Sequence, residues 1–422
     1  MLSDRILPSR FPLVPVFLGL MAFWATGCTT FLDRTTEARH AASVGSWDRA
    51  AGLFEEVLET RPGREKILLH MEAGLCRLYA GDYDEAIAHL RAADNATEAA
   101  YTRVHQQAGS LLLTDNLIDY RPPPFEVPLI NSYSALAFVL KGDWAGAFVE
   151  ARRANLRMDQ MRIYLEESGY RVSNPFGSYL SGVLYEMQGE LDEAYLDYKE
   201  VDRWTEGSPV LGRDLIRLSR YFRFTDDLAA WEAKYGALEP ETQPVRPGYG
   251  ELIVFLEVGA SPLKMQPSMI VAIPELVSMP RRTAGGVLRV DGEDVSTACR
   301  LADLDRAARE QLDAQMAAMA AKQFAVTAGK IYIADRVGNE ANSDLATFMM
   351  LALFAATNQA DTRSWTTLPA QVHVLRASLP AGERQVTLDL VDHAGWPWKT
   401  LDLGVVKIPD NGRVLRSVRE QM

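Results

Sequence analysis

Four stretches in the first half of the chain share one pattern of apolar and polar positions. Each has glycine first, a polar residue second, an aromatic residue or leucine third, and alanine five positions after the glycine. A run with helical periodicity precedes each stretch, as in ILLHMEAGLCRLYA and SYLSGVLYEMQ, so the predicted unit is helix, glycine turn, helix. The four stretches are GSWDRAAGLF, GDYDEAIAHL, GDWAGAFVEA and GELDEAYLDY, beginning at Gly45, Gly81, Gly142 and Gly189.

This unit resembles the tetratricopeptide repeat, and the second copy matches that repeat almost fully. Gly74 stands at the small position of its first helix, while Tyr83, Ala86, Leu90 and Ala93 stand at the consensus positions of its second. The resemblance implies helix pairs that stack into a superhelix, with the first helix of each pair lining the concave face. Spacing between copies is irregular, which indicates insertions between them.

The repeat resemblance also implies which side chains face the concave groove. They are the candidates for gripping an extended peptide or a helix of a protein partner. The alternative is that so apolar a face is filled by the chain's own insertions or C-terminal domain, since a large exposed apolar patch would be a liability. The candidates are Leu68, Met71, Leu75, Tyr79, Leu129, Ser132, Leu136, Leu140, Phe176, Tyr179, Val183 and Met187.

The periodicity changes in the second half of the chain. Residues 237–250, ALEPETQPVRPGYG, are rich in proline and poor in apolar residues, which is typical of a linker. ELIVFLEVG predicts a strand and GGVLRVDGEDVST a hairpin around Asp291 and Gly292. LADLDRAAREQLDAQMAAMAA predicts a helix capped near Asp303 or Asp305, residues 324–333 fit a strand or a helix equally, and NSDLATFMMLALFAATNQ predicts a buried helix.

Three further strands are predicted in AQVHVLRASLP, ERQVTLDLVD and TLDLGVVKIP. The whole is predicted to be an α+β protein: an N-terminal α-solenoid of tetratricopeptide-like helix pairs, then a mixed domain whose helices cover one face of a largely antiparallel sheet. The predicted boundaries are 28–236 for the repeats, 237–250 for the linker and 251–422 for the C-terminal domain, after an N-terminal segment of residues 1–27.

That N-terminal segment has the layout of an export signal. Arg5 and Arg10 precede an uncharged apolar run over residues 11–25, which is too short and too rich in proline for a stable membrane-spanning helix. The sequence that follows, Ala25-Thr26-Gly27-Cys28, resembles the lipobox of bacterial lipoproteins. The resemblance implies acylation of Cys28 and a mature chain that starts there, and Thr29 favours the outer membrane. The alternative is a secretory signal with an unrelated cysteine nearby.

A second resemblance covers most of the mature chain. The stretches LTDNLIDYRPPPFEVPLINSYSALAFVLKGDWAGAFVEARRAN, NPFGSYLSGVLYEMQGELDEAYLDYKEV and ADTRSWTTLPAQVHVLRASLPAG look like a family of bacterial tetratricopeptide-repeat lipoproteins. Because that family has no established activity, this resemblance implies a compartment and an architecture and no reaction.

Composition narrows the class of partner. The 422 residues include 44 basic and 56 acidic ones, a formal net charge of -12, which argues against a nucleic-acid partner. Besides Cys28 the chain has only Cys76 and Cys299, in different predicted domains, so no disulfide framework is expected. Neither a cofactor, a metal nor a small-molecule ligand is indicated.

Candidate chemistry is sparse in this sequence. Ser261 and Lys264 fit the S-x-x-K spacing of penicillin-recognising serine enzymes, but Pro262 and the preceding strand are the wrong context for it. The six histidines show no metal-ligand spacing. A basic cluster with one carboxylate, formed by Glu150, Arg152, Arg153, Arg157 and Arg162, fits an anion site or, more simply, an exposed helix face with internal ion pairs.

The leading hypothesis is therefore a non-enzymatic scaffold, anchored by lipid at the periplasmic face of the outer membrane, that binds envelope proteins through its repeat groove. The alternatives are an accessory factor for cell-wall synthesis or polysaccharide export, and a hydrolase or glycan-binding module in the C-terminal domain.

Overall fold

The computed structural model describes residues 30–60, 62–103, 119–166, 170–205, 207–236, 246–267, 273–341, 347 and 360–420. Its N-terminal half is helical and its C-terminal half is dominated by strands. After a short helix, Phe31–Arg34, the described residues form five helix pairs, which we number 1 to 5 and whose members we call inner and outer helix. The pairs are Thr36–Ser43 with Trp47–Thr60, Lys66–Ala80 with Tyr83–Arg103, Val127–Lys141 with Trp144–Tyr164, Pro175–Gln188 with Leu191–Asp202, and Pro209–Phe222 with Thr225–Tyr235.

The four predicted glycine turns are confirmed. Gly45, Gly81, Gly142 and Gly189 have φ angles of 74°, 85°, 86° and 81°, in the left-handed region where a side chain would be strained. The fifth pair was not predicted, because Arg223 adopts this conformation there, with φ 58° and no glycine to mark the turn.

Small residues allow the two helices of a pair to approach closely, as the sequence indicated. A Cβ atom added to Gly74 would lie 2.9 Å from Leu90 Cγ, and one added to Gly182 would lie 2.6 Å from Tyr198 Cε1. Both separations are too short for real carbon contacts, so glycine is required at these two crossings.

Two inner helices begin in the same way. Asn174 caps the inner helix of pair 4 by accepting from the N–H of Gly177, and Ser208 caps that of pair 5 by accepting from the N–H of Leu211. In each case a proline follows the cap, where its missing N–H costs no hydrogen bond.

Within the described residues, the C-terminal domain contains ten strands and one long helix, Leu304–Ala341. We call the four-stranded sheet β10-β1-β7-β6 the inner sheet and the four-stranded sheet β5-β4-β8-β9 the outer sheet; β2 and β3 pair separately. The strands are β1 Tyr249–Val258, β2 Leu263–Met265, β3 Glu275–Val277, β4 Thr283–Val290, β5 Glu293–Thr297, β6 Cys299–Asp303, β7 Gln371–Pro380, β8 Gly382–Asp392, β9 Pro397–Ile408 and β10 Arg413–Arg419.

Pairing is antiparallel throughout both four-stranded sheets except between β1 and β10, which run parallel. The predicted hairpin is confirmed as β4 and β5, with Asp291 and Gly292 at the turn. The predicted helix begins at Leu304 with Asp303 accepting from the N–H of Arg306, but the Leu-Ala-Asp that opened the predicted segment belongs to β6. The ambiguous residues 324–333 are helical.

The two sheets pack face to face as a sandwich. Leu252, Val254 and Leu256 of β1 form a core with Leu375 of β7 and Leu388 of β8, on one face of the inner sheet. Because strand side chains alternate, the odd-numbered residues of β1 point to the opposite face. One face of the inner sheet is thus covered by the outer sheet, which was not predicted. The other face is covered by helices, those of the solenoid together with the start of the helix Leu304–Ala341, whose Leu304 and Ala308 belong to the same core.

The predicted boundaries can be compared with the element ends. The last solenoid helix ends at Tyr235 and β1 begins at Tyr249. Most of the predicted linker lies outside the described residues, and so does the predicted buried helix in NSDLATFMMLALFAATNQ apart from Thr347. Among the helices that are described, none combines the length and apolar character needed to cross a bilayer.

Candidate functional site

The predicted groove residues are buried or partly buried in the structure. Tyr79, Leu140 and Met187 are partly buried and pack against the main core. The others are at most 1 % exposed, namely Leu68, Met71, Leu75, Leu129, Ser132, Leu136, Phe176, Tyr179 and Val183. In this structure none of these side chains presents an open binding surface.

The occupant of the groove is the inner sheet of the same chain. Phe255 of β1 packs edge-on against Phe176 and Tyr179, with ring centroids 5.4 and 6.4 Å away. Tyr133 of pair 3 meets Trp365, just before β7, at 6.0 Å. The prediction of a groove open to partner proteins is therefore corrected in favour of the other possibility considered, a groove filled by the C-terminal domain.

A buried cluster of six charged side chains joins the solenoid to the inner sheet. We call it the charge cluster. It contains three carboxylates and three guanidinium groups, so its formal charges balance. Its members are Glu186, Asp214 and Arg217 from the solenoid and Glu251, Arg376 and Arg413 from the sheet.

Arg376 stands at the centre of the charge cluster. It donates to Glu251 at 2.5 and 2.9 Å, to Asp214 at 3.0 Å and to Glu186 at 3.3 Å. Arg217 and Arg413 complete the pairing: each lies 2.5 Å from Glu186, Arg217 also contacts Asp214 at 3.2 Å, and Arg413 contacts Glu251 at 2.8 Å. Arg376 thereby links one strand of the sheet to two inner helices.

The charge cluster shifts the pKa values of two of its carboxyl groups in opposite directions. Burial alone would raise the pKa of Glu186, but the three surrounding guanidinium groups of Arg217, Arg376 and Arg413 hold that pKa well below its usual range. Burial raises the pKa of Asp214, because its contacts with Arg376 and Arg217 do not fully compensate for lost hydration. The stability of the charge cluster therefore depends on complete pairing of its charges.

A second polar contact lies further along β1. Glu257 accepts from the hydroxyls of Tyr79 at 2.5 Å and Tyr133 at 3.0 Å, both on inner helices. Ser417 of β10 donates to its other oxygen at 2.7 Å. Burial raises the pKa of Glu257.

A third contact fixes the segment before β7. Glu72, on the inner helix of pair 2, accepts from the backbone N–H groups of Thr366 and Thr367 at 2.7 and 3.0 Å and from their hydroxyls at 2.7 and 2.6 Å. Burial raises the pKa of this carboxyl group as well. These contacts are specific in direction and distance, which distinguishes the interface from non-specific apolar packing.

The residues considered for catalysis are not brought together. Ser261 is buried, its N–H donates to the carbonyl of Leu368, and Lys264 follows in the extended β2 strand instead of one helical turn later. His70 and His89 contact each other between the helices of pair 2, with their Nδ1 atoms 3.0 Å apart. Across the described part of the chain, no group of three or more metal-ligating side chains is assembled.

The basic cluster of residues 150–162 forms internal ion pairs. Arg157 donates to Asp94 at 2.8 and 3.0 Å, and Arg153 donates to Glu150 at 3.2 Å. Arg162 pairs with Glu200. These pairs match the simpler interpretation of an ion-paired helix face, with Arg157 and Glu150 more buried than expected.

The outer helix of pair 3 carries an apolar stripe that sequence reasoning missed. Val149, Leu156 and Ile163 follow one another at seven-residue spacing and are 50, 55 and 74 % exposed. That spacing places them along one line of the helix surface. The seven-residue spacing of these three residues is visible in the sequence, where the charged residues of the same segment were interpreted instead.

The predicted lipid site, Cys28, lies outside the described residues. Thr30 is the first described position, and it closes a capping box with Asp33 at the start of the helix Phe31–Arg34. Phe31 is buried in the solenoid core. The first described residue, Thr30, is thus two positions after the predicted lipid site.

Comparison with known proteins gives little beyond this. No protein-family model and no curated protein matches the chain. A crystal structure of MamA aligns over 49 % of this chain and 92 % of its own, with 14 % identity and a TM-score of 0.31. A second structure, MamA AMB-1 in P212121, covers 49 % of this chain and 89 % of its own at 13 % identity and a TM-score of 0.30.

Proposed function

We propose that this chain is a non-enzymatic, lipid-anchored adaptor of the bacterial cell envelope, held at the periplasmic face of the outer membrane through Cys28. The export-signal layout of residues 1–27 and the lipobox resemblance support the anchor. Three residues span at most about 11 Å, so a lipid on Cys28 would hold the capped helix that begins at Phe31 close to the bilayer. The adaptor would then present a fixed orientation to its partners.

The single observation that carries the adaptor role is the exposed stripe of Val149, Leu156 and Ile163. Because the inner sheet occupies the concave face, partner contacts belong on the outer surface. A line of aliphatic side chains at seven-residue spacing suits an amphipathic helix of a partner protein, which would bury the same kind of line. Arg152 and Asp159, which flank the stripe, are exposed and would lie at the rim of such an interface.

Site-specific photo-crosslinking in intact envelopes tests this proposal. A photoreactive amino acid at Leu156 should give one discrete protein adduct, and Ile163→Glu in the same chain should remove it. The matched control places the probe at Val405, which is 63 % exposed on the outer sheet and should give no such adduct. Equal adducts from Leu156 and Val405, or an adduct that survives Ile163→Glu, would contradict the proposal.

The anchor and the absence of catalysis are tested separately. Metabolic labelling with palmitate should mark the wild type and not Cys28→Ser, whereas an unlabelled wild type would refute the anchor. Ser261→Ala should leave the cellular phenotype of a rescued deletion strain unchanged, since Ser261 is buried and hydrogen-bonds within its own domain. Loss of rescue with a folded Ser261→Ala protein would favour the hydrolase alternative.

A further inference from the structure

The turn between β8 and β9 exposes a large aromatic side chain at one end of the sandwich. Trp396 is 71 % exposed, whereas the other tryptophans that the structure describes are buried or half-buried. Tryptophan combines a broad apolar ring with one N–H donor, so it is enriched at protein interfaces and at membrane surfaces, where one end is apolar and the other is wet. Its position on this turn indicates a partner surface.

Hydrogen bonds within the turn fix the backbone that carries this tryptophan. The Asp392 carboxylate accepts from the N–H groups of Ala394 at 2.9 Å and Trp396 at 3.0 Å. The N–H of Asp392 donates to the carbonyl of Trp396 at 3.0 Å, and Gly395 has a left-handed φ of 81°. A partner would therefore meet a preorganised turn and would not have to order it.

Cationic side chains lie next to this turn. Arg282 precedes β4, and its guanidinium carbon lies 4.7 Å from the ring centre of Trp398. The Nζ atom of Lys399 lies 6.0 Å from the same ring centre. Within the described residues, neither cation forms an ion pair with a carboxylate. Arg281 adds a third positive charge, and we call the whole surface the sandwich tip: Arg281, Arg282, Trp396, Trp398 and Lys399.

The sandwich tip is cationic in a protein that is acidic overall. The formal net charge of the chain is -12. Two carboxylates lie near the tip, and both are already engaged: Asp392 holds the turn, and the buried Glu420 accepts from the hydroxyl of Thr283 and from the N–H of Gly259. A partner surface with negative charge therefore fits the sandwich tip best.

A chain of contacts connects the sandwich tip to the first helix pair. Trp398 donates from its ring N–H to Thr283 Oγ1 at 3.1 Å, and Thr283 donates to Glu420 at the end of β10. The preceding residue, Arg419, lies over the ring of Trp47 at 5.9 Å. Trp47 begins the outer helix of pair 1, the pair that follows the predicted lipid site in the sequence. The tip thus lies on the side of the sandwich that meets pair 1.

We propose that the sandwich tip binds the surface of a bilayer that contains anionic lipids. Trp396 would enter the headgroup region, where tryptophan is enriched in membrane proteins. Arg282 and Lys399 would contact lipid phosphates, since cations near an anionic leaflet are attracted to it. This surface is separate from the exposed stripe, and its binding does not require acylation of Cys28.

A bilayer fits the sandwich tip better than a glycan does. Sugar hydroxyls need hydrogen-bonding groups around the aromatic ring, but the carboxylate beside Trp396 is taken by two backbone N–H groups of the turn. A membrane surface needs only an apolar side chain that enters it and cations that meet its phosphates. The sandwich tip supplies both.

Vesicle co-sedimentation tests the proposal with residues 28–422 carrying Cys28→Ser, so that no lipid is attached. Binding should be at least about fivefold tighter to vesicles with phosphatidylglycerol than to vesicles of phosphatidylcholine alone. On the anionic vesicles, Trp396→Ser should weaken binding about tenfold or more, and Arg282→Gln about fivefold. The matched controls Val405→Ser and Lys407→Gln, both exposed at the opposite end of β9, should bind as the parent chain does.

Quenching of tryptophan fluorescence by lipids with brominated acyl chains identifies the side chain that enters the bilayer. The parent chain should be quenched on anionic vesicles. Trp396→Phe keeps an aromatic side chain on the turn, so it should still bind but lose most of the quenching. Unchanged quenching in Trp396→Phe would overturn the proposal, because another tryptophan would then be the one that enters.

Three other results would also overturn it. The first is no saturable binding to anionic vesicles up to about 5 mM lipid, or equal weakening in Trp396→Ser and Val405→Ser. The second is a dimer in solution that Trp396→Ser dissociates, which would assign the sandwich tip to a second copy of the chain. The third is binding to purified peptidoglycan in place of vesicles, lost in Trp396→Ser, which would assign it to a glycan. Since the tested chain carries no lipid, each of these results leaves the anchor at Cys28 to be decided by palmitate labelling.

Discussion

Arg376 offers the sharpest test of how the two halves of the protein are joined. Replacing it with methionine keeps much of the side-chain volume and removes the guanidinium group. Two arginines would then face the three carboxylates Glu186, Asp214 and Glu251, all within a buried site. Loss of one partner from a buried charge network costs about 3–5 kcal/mol, because an unpaired charge stays behind.

The double variant Arg376→Met with Glu251→Met separates this cause from lost packing. It leaves Glu186 and Asp214 facing Arg217 and Arg413, so the formal charges balance again. The double variant should therefore be more stable than Arg376→Met alone. If the destabilising effects of the two single variants simply added, the double variant would instead be the less stable of the two.

Denaturant unfolding followed by circular dichroism measures both effects. The control is Arg203→Met, because Arg203 is 70 % exposed at its side chain and its pair with Glu200 should contribute little. If Arg376→Met lowered the free energy of unfolding by less than about 1 kcal/mol, or if the double variant were the least stable, the reasoning would be refuted.

Two further outcomes are expected for stability. Burial raises the pKa of Glu126 from 4.5 to about 7, so between these pH values the folded protein binds a proton at Glu126 that the unfolded chain has lost. The free energy of unfolding of the wild type, relative to that of Glu126→Gln, should therefore fall by about 3 kcal/mol from pH 4.5 to pH 8. A difference between the two proteins that did not change with pH would refute this. Gly182→Ala should cost about 1–3 kcal/mol, because the new Cβ meets Tyr198, whereas Gly52→Ala, which has open space, should gain up to about 1 kcal/mol. Thermal melts that ranked the two alanine variants the other way would contradict the packing argument.

Local features of the helical half could be predicted from the sequence because each depends on few residues. Glycine adopts the left-handed turn conformation at little energetic cost. The sequence therefore marks four turns by their glycines alone, Gly45, Gly81, Gly142 and Gly189. Arg223 shows the limit of this signal, because it adopts the same strained conformation without being glycine. The sequence does not mark such a turn, so the fifth helix pair was not predicted.

The interface could not be predicted because its partners are far apart in the sequence. Glu251 and Glu257 stand at the two ends of ELIVFLE, on one face of a strand that is otherwise apolar on both faces. Charges placed in this way indicate buried partners. The sequence does not say that those partners are Arg376 and Arg413 for Glu251 and the tyrosines of the inner helices for Glu257, which come together only after folding.

The C-terminal domain fills the concave face of the solenoid, and this interface should hold the two halves together without a covalent connection. A protease site inserted within residues 237–245 and cut in the folded protein tests it directly by size-exclusion chromatography at physiological salt. The two fragments should co-elute in a one-to-one complex after cutting. Separate elution of a solenoid fragment and a sandwich fragment would contradict it.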